Sequence, residues 1–225
     1  MRYRALEEAW GILAALGAAW LIAWLIAWLF ALAIPSAAAG LAGGALSIAI
    51  LFTLYFFRDP ERVPPPGDSL ALAPADGLVT TVDEVEEKEF LNARVRRVGI
   101  FLSVLDVHIN RAPIAGNVLH SEPKPGRFLD ARNPDCSLFN VSRSWVIAGP
   151  AGTVLVRQIT GAIARRICPW AVVGDALARG ERFGMIRFGS RTELLVPMGA
   201  EILVQPGDRV RAGETPVARM PAPSK

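Results

Sequence analysis

A chain of 225 residues, 52% hydrophobic and 20% charged, has room for one domain or for a small domain with an appendage, and is too short for a large multidomain machine. That composition excludes a disordered or collagen-like chain, and the two cysteines, Cys136 and Cys168, are too few for a disulfide scaffold and stand in no metal-ligand spacing. The formal charge of +3 is small and unclustered, which argues against nucleic acid as a partner and suits a negatively charged membrane surface.

No charged residue occurs between Ala9 and Phe57. Trp10 to Ile34 is a continuous apolar run, Pro35 and Ser36 interrupt it, and Ala37 to Phe57 resumes it. Each run reaches the roughly 20 residues that a helix needs to cross a bilayer. Backbone polar groups in the hydrocarbon must be satisfied within the chain. Residues 1–62 therefore read as a membrane anchor, a transmembrane hairpin of two helices at about 10–34 and 37–57. A cleaved signal peptide would have a shorter apolar core. Arg2 and Arg4 precede the hairpin and Arg58 and Arg62 follow it, which puts both ends in the cytoplasm and keeps the cysteines reduced. Trp20, Trp24 and Trp28 share a helix face, and Gly40 and Gly44 form a small-xxx-small pair; lipid contact and helix packing account for both.

Residues 63–225 read as one catalytic domain, opened by the stiff spacer Val63-Pro64-Pro65-Pro66-Gly67. Short alternating segments between Gly/Pro turns predict strands at Leu78–Val85, Ala93–Ser103, Gly152–Ile159, Arg191–Pro197 and Ile202–Gln205. Helical signals are weaker and best at Ile159–Ile167 and Ala171–Ala178. The fold class is mainly β (α+β). Pro66-Gly67-Asp68 and Pro206-Gly207-Asp208 each open a hairpin-like stretch, a rhythm shared with lipoyl- and biotin-carrying domains. Those carriers need a lysine at a hairpin tip, and Lys88, Lys124 and Lys225 do not stand there.

Three places are chemically dense. Asp76 sits in the turn Pro74-Ala75-Asp76-Gly77. His108, one of two histidines, has Asp106, Asn110 and Arg111 close by in sequence after an apolar strand, whereas His120 lacks such company and reads as structural. Ser190 follows Gly189 in Phe188-Gly189-Ser190-Arg191-Thr192, where a glycine carbonyl stands next to a hydroxyl. An acid, a base and a serine are the parts of an activated nucleophile. Spacing alone leaves open whether Ser190 attacks its own backbone or, as in a membrane-anchored serine hydrolase, an outside ester or peptide. A non-catalytic scaffold would leave these residues without a task.

Ordered motifs span nearly the whole domain. They are Phe57-Arg58-Asp59-Pro60-Glu61-Arg62, Ala73-Pro74-Ala75-Asp76-Gly77, Phe101-Leu102-Ser103 leading to Asp106-Val107-His108-Ile109-Asn110-Arg111-Ala112-Pro113, and Pro125-Gly126-Arg127-Phe128. Gln158-Ile159-Thr160-Gly161, Ile163-Ala164-Arg165-Arg166-Ile167 and Gly180-Glu181-Arg182-Phe183-Gly184-Met185-Ile186-Arg187-Phe188-Gly189-Ser190 complete the set. In order and spacing the chain resembles the phosphatidylserine decarboxylases of the short bacterial and archaeal branch.

The resemblance implies a proenzyme that cuts itself between Gly189 and Ser190 into a β chain, 1–189, and an α chain, 190–225. Ser190 would become a covalent pyruvoyl group, the cofactor for turning phosphatidylserine into phosphatidylethanolamine and carbon dioxide, with no metal. His108 would be the base, and Asp76 would hold and charge-stabilise it. The implied place is the cytoplasmic side of the bacterial inner membrane, and a homodimer is open to the chain. An anionic headgroup calls for cations, for which Arg111, Arg157, Arg165, Arg166, Arg187 and Arg191 are the candidates. The long branch of the family carries Leu-Gly-Ser-Thr at the cut and a second histidine three residues after the first; here Phe188 and Arg191 flank the Gly-Ser pair and Arg111 replaces that histidine. One histidine must then serve both self-cleavage and decarboxylation, or another group takes one role.

Overall fold

The computed structural model describes residues 4–29, 36–187 and 190–221. It divides into two compact units, Met1–Asp59 and Pro60–Lys225.

The first unit holds two helices packed on one another, α1 (Arg4–Leu29) and α2 (Ser36–Phe56). α1 begins six residues ahead of the apolar run, because Glu7 in its first turn meets the positive end of the helix dipole. Over Arg4–Ile26 it is apolar and long enough to cross a bilayer, with mean hydropathy 2.0; among the described residues the apolar stretch of α2, Gly40–Phe56, is shorter. Trp10 and Trp24 on α1 are 73% and 61% exposed, so these large apolar surfaces are not consumed within the unit. α2 returns its hydroxyls to its own backbone: Ser47 Oγ donates to the Gly43 carbonyl (2.9 Å) and Thr53 Oγ1 to that of Ala49 (2.8 Å). Arg58 closes α2, its guanidinium 3.9 Å from the Tyr55 ring centroid, a cation at the negative end of the helix. The turn expected around Pro35 and the side chain of Trp28 lie outside the described residues.

The second unit is mainly β. Its first half carries β1 (Leu70–Leu72), β2 (Gly77–Glu87), β3 (Ala93–Leu102), β4 (Ile109–Arg111), β5 (Gly116–Lys124), the short helix α3 (Cys136–Phe139), β6 (Ser142–Gly149) and β7 (Gly152–Ile159). There follow β8 (Arg166–Pro169), β9 (Ala176–Leu177), β10 (Arg182–Arg187), β11 (Ser190–Pro197), β12 (Glu201–Ile202), β13 (Arg209–Val210) and β14 (Pro216–Arg219). An eight-stranded antiparallel sheet runs β13-β2-β3-β11-β7-β6-β5-β9; two three-stranded sheets run β4-β10-β8 and β1-β14-β12.

Strand alternation sorts the large sheet into two faces. Ile100 and Leu102 of β3, Leu194 and Val196 of β11, Val154 and Val156 of β7, and Trp145 and Ile147 of β6 point into the main core, where the Trp145 ring meets Phe183 of β10 at 5.1 Å. Val95, Val146, Leu155 and Leu195 form a smaller cluster on the opposite face.

Neither expected helix forms. Ile159–Ile167 becomes the end of β7, a turn and the start of β8, which pairs with β10; Ala171–Ala178 becomes a turn and the edge strand β9. Gly174 takes φ +96 and the Asp175 carboxylate accepts the Val172 N–H (2.9 Å), so local turn bonding replaces a helical repeat.

The second face also carries ions. Glu193, fully buried, accepts from Arg191 Nε (3.0 Å), Arg97 Nη1 (3.3 Å) and Ser137 Oγ (2.7 Å), with Arg157 Nη1 at 3.9 Å. The Arg191 guanidinium further donates to Thr80 and Thr81 Oγ1, both at 3.0 Å. Gly99 makes the space: a Cβ there would lie 2.2 Å from Arg191 Nη2. Cys136 of α3 lies in the same layer, and burial pushes its thiol up, which keeps it protonated and unreactive.

Removing the carboxylate takes from Arg191 its charged partner and leaves Arg97 and Arg157 with Asp83 and Glu87 alone, a loss of about 3 kcal/mol. Glu193→Ala, in a chain kept whole by Ser190→Ala, is expected to melt at least roughly 6 °C lower by thermal scanning.

Candidate active site

β11 starts at Ser190, opposite Leu102, the last residue of β3. The chain leaves the three-stranded sheet at Arg187 and enters the eight-stranded sheet at Ser190; Phe188 and Gly189, half of the expected cleavage site, lie outside the described residues. Alternation turns Ser190 and Thr192 toward the core face and Arg191 and Glu193 away from it. Ser190 is fully buried, and among the described residues its Oγ has no hydrogen-bond partner. A buried hydroxyl left unpaired is unusual and is free to react.

β4 lies over that core face. Asn110 of β4 donates from Nδ2 to Thr192 Oγ1 (3.2 Å) and to the Pro74 carbonyl (3.1 Å), and its Oδ1 accepts from Gln158 Nε2 (2.7 Å). Gln158 Oε1 in turn accepts from Trp145 Nε1 (2.7 Å). This buried chain joins β6, β7, β4, β11 and the turn that carries Asp76. Sequence reasoning named Gln158 and Thr192 only inside longer motifs, without a role, and read Asn110 only as company for His108. A glutamine, an asparagine and a threonine in strands look unremarkable until their cross-strand neighbours are known.

His108 immediately precedes β4, two residues before Asn110, and Ser190 stands two residues before Thr192, the residue that Asn110 binds. The His108 carbonyl accepts the Ile186 N–H of β10 (3.2 Å). Its fully buried ring sets Nδ1 2.9 Å from the Asp106 backbone oxygen. A carbonyl only accepts, so Nδ1 carries the proton of this bond. Asp106 holds the loop with its carboxylate, which accepts the Ser103 N–H (2.8 Å) and pairs with Arg209 (3.3 Å).

Asp76 is engaged elsewhere. Its Oδ2 meets Arg62 Nη2 and its Oδ1 accepts the Ala212 N–H, each at 2.8 Å. These bonds tie it to the segments on either side of it in space, while the Asp106 carbonyl holds His108 Nδ1. Gly77 after it takes φ +150, and a Cβ there would lie 2.1 Å from the Phe101 carbonyl oxygen, so the turn needs glycine.

The six candidate arginines separate. Arg157 and Arg191 belong to the Glu193 cluster on the far face of the sheet. Arg111 is buried and braces the main chain, donating to the Gly180 (3.1 Å) and Pro60 (2.9 Å) carbonyls. Arg165 and Arg166 are exposed, and Arg165 lies over the Phe128 ring at 5.6 Å. Arg166 of β8 and Arg187 of β10 face one another in register. A cavity of 240 Å³ adjoins Leu102, lined by Phe101, Val104, Ala131 and Ile163 among others, with Asp130 on its rim held at about 2 by hydrogen bonds from Arg132.

Asn110→Leu removes the centre of the buried chain and takes away the side-chain partner of Gln158 Nε2 and of Thr192 Oγ1, at about 1–3 kcal/mol for each stranded group. Urea titration of the whole chain with Ser190→Ala is expected to show that loss.

The family model for phosphatidylserine decarboxylase matches residues 49–218. Among curated proteins, the phosphatidylserine decarboxylase proenzyme of Symbiobacterium thermophilum is 49% identical over 180 residues, 80% of this chain and 84% of that protein. The proenzymes of Salinibacter ruber and Gluconacetobacter diazotrophicus are 45% and 48% identical, over 80% and 79% of this chain and 82% and 81% of their own lengths. A match of that extent, covering β1 to β14 and with them Ser190, His108 and Asp76, means that the chain belongs to the phosphatidylserine decarboxylase family.

Proposed function

We propose that the chain is a self-processing proenzyme that decarboxylates phosphatidylserine, and that Ser190 is both its nucleophile and the source of its pyruvoyl group. The observation that carries this reading is the buried Ser190 Oγ, without a hydrogen-bond partner among the described residues, at the head of a central strand. In the cut, Oγ attacks the Gly189 carbonyl carbon while His108 Nε2 takes its proton. The amide C–N bond breaks as its nitrogen is protonated, leaving an ester. Loss of the Ser190 Cα proton then expels the Gly189 carboxylate and leaves dehydroalanine, from which water releases ammonia and forms the ketone. The neighbouring carbonyl is already in reach, so little translational entropy is lost.

The residues present fit that group: Ser190 supplies its atoms from a fully buried position, and Thr192, two residues along the same strand, is bound by Asn110 of β4. When formed it supplies an electron sink for the loss of carbon dioxide. The protein supplies the rest. The Asn110 chain fixes β4 against β11, and His108 holds a proton at Nε2 for delivery. Arg166 and Arg187 supply positive charge. Like charges directly opposite in a strand pair repel, and an anionic headgroup relieves that repulsion. The apolar cavity beside Leu102 suits the glycerol and acyl part of a lipid.

The apolar helices act as the anchor of this reading. α1 and α2 cross the inner membrane as a hairpin, with Arg2, Arg4 and Arg58 on the cytoplasmic side, and hold the catalytic unit next to a substrate that does not leave the bilayer cheaply.

Denaturing electrophoresis and intact mass test the cut. The mature protein is expected to run as two fragments, 1–189 and 190–225, the smaller without a free amino terminus, whereas Ser190→Ala is expected to stay one chain of 24.2 kDa without activity. A single active chain with an unmodified serine would favour a serine hydrolase instead. For the headgroup, Arg166→Ala is expected to raise KM for phosphatidylserine by about tenfold, the worth of one hydrogen bond to a charged group, while self-cleavage is unchanged.

A further inference from the structure

We infer that Arg62 is a positioning residue that acts through Asp76, an inference that rests on the self-processing reading above. The Phe57–Arg62 motif carries no chemistry in that reading, and Arg62 served only as a positive flank. Yet its side chain is only 8% exposed and forks between two carboxylates, Nη2 to Asp76 Oδ2 at 2.8 Å and Nη1 to Glu214 Oε2 at 3.1 Å. The Asp76 side chain is 12% exposed. A carboxylate so placed needs a cation, and Arg62 supplies it.

The segment that presents Arg62 is itself held. Arg111 Nη2 donates to the Pro60 carbonyl (2.9 Å), two residues before Arg62, while the Arg111 N–H donates to the Pro74 carbonyl (2.9 Å), two residues before Asp76. One residue thus fixes the main chain behind both members of the pair. The other oxygen of Asp76 is taken by the Ala212 N–H, and the Gly213 N–H reaches the Ala73 carbonyl at 2.9 Å. Asp76 and its turn are therefore locked between residues 60–62 on one side and 211–214 on the other. The second group lies in the smaller fragment after the cut, so Arg62 and Asp76 also bridge the two fragments. Without the guanidinium the carboxylate must turn or take up a proton, and the turn Pro74-Ala75-Asp76-Gly77 that Asn110 binds loses its set position.

The experiment follows the appearance of the two fragments over time in freshly made full-length chain. Arg62→Met is expected to slow the cut at least tenfold, in line with what small misplacements of reacting groups cost. It should slow it to the same extent as Asp76→Asn, and the double variant should be no slower than Asp76→Asn alone, because residues that act as a unit are not additive. Arg62→Lys, which keeps the charge, is expected to return the rate to within threefold of the wild type. Glu214→Gln, which breaks only the other arm of the fork, should cut within threefold of the wild-type rate. Arg62→Gln is read in place of Arg62→Met if the latter does not fold in the Ser190→Ala chain. Cutting of Arg62→Met at the wild-type rate, a lysine variant no faster than methionine, a Glu214→Gln chain as slow as Arg62→Met, or multiplying effects in the double variant would each overturn the inference. A wild-type chain that never cuts would instead sink the self-processing reading itself.

Discussion

The arrangement depends on a strand that is paired on both edges. Along its whole length β11 is bonded to β3, from Ser190 opposite Leu102 to Pro197 opposite Val95, and along most of it to β7. A strand at the edge of a sheet could peel away once its covalent lead-in is severed; a central one must break two ladders at once. The rest of the smaller fragment adds to this, since β13 pairs with β2, β14 pairs with β1, and Arg209 and Glu214 reach Asp106 and Arg62. A cut before Ser190 is thus compatible with an unchanged fold, since the ladders to β3 and β7 hold the new chain end in place without a covalent tether.

Strict alternation along β11 then makes its two faces chemically different. The core side receives Ser190 and Thr192 and is satisfied by neutral amides and a hydroxyl, running from Trp145 through Gln158 and Asn110. The other side receives Arg191 and Glu193 and is satisfied by ions. An arginine directly after the nucleophile departs from the threonine of the long branch, and alternation explains why it is tolerated. Its guanidinium points away from the reacting face, into room left by Gly99, with Glu193 and two threonines as partners. Both networks stiffen the same strand, and neither involves the Ser190 hydroxyl.

The apolar runs, the alternation of β2, β3, β7 and β11, and the chemical company of His108 and Ser190 were legible in the sequence because each is a local pattern. What could not be read is set by partners far along the chain. Gln158 matters because Asn110, 48 residues away, ends up beside it, and Arg62 because the Asp76 turn folds back onto it. The failure at Ile159–Ile167 has the same origin. Alanine, isoleucine and arginine favour a helix in isolation, but pairing of Arg166–Pro169 with β10 wins once the tertiary fold offers an open edge. Asp76 was singled out from its glycine turn, yet its bonds to Arg62 and the Ala212 N–H were not, since neither pairing leaves a local pattern.

One histidine can serve two reactions if they do not compete for it in time. In the proposed function, self-cleavage occurs once in the life of each molecule and takes a proton from Ser190; decarboxylation follows repeatedly and needs a proton returned. The same nitrogen can do both, provided that the tautomer is fixed throughout. The Asp106 carbonyl does this: it accepts from Nδ1 whichever state Nε2 is in, and it adds no formal negative charge beside the ring. A carboxylate in that position would hold the doubly protonated ring more tightly and oppose the second task. Engagement of Asp76 by Arg62 and the Ala212 N–H, rather than by the ring, is in keeping with a histidine that must release its proton as readily as it takes one.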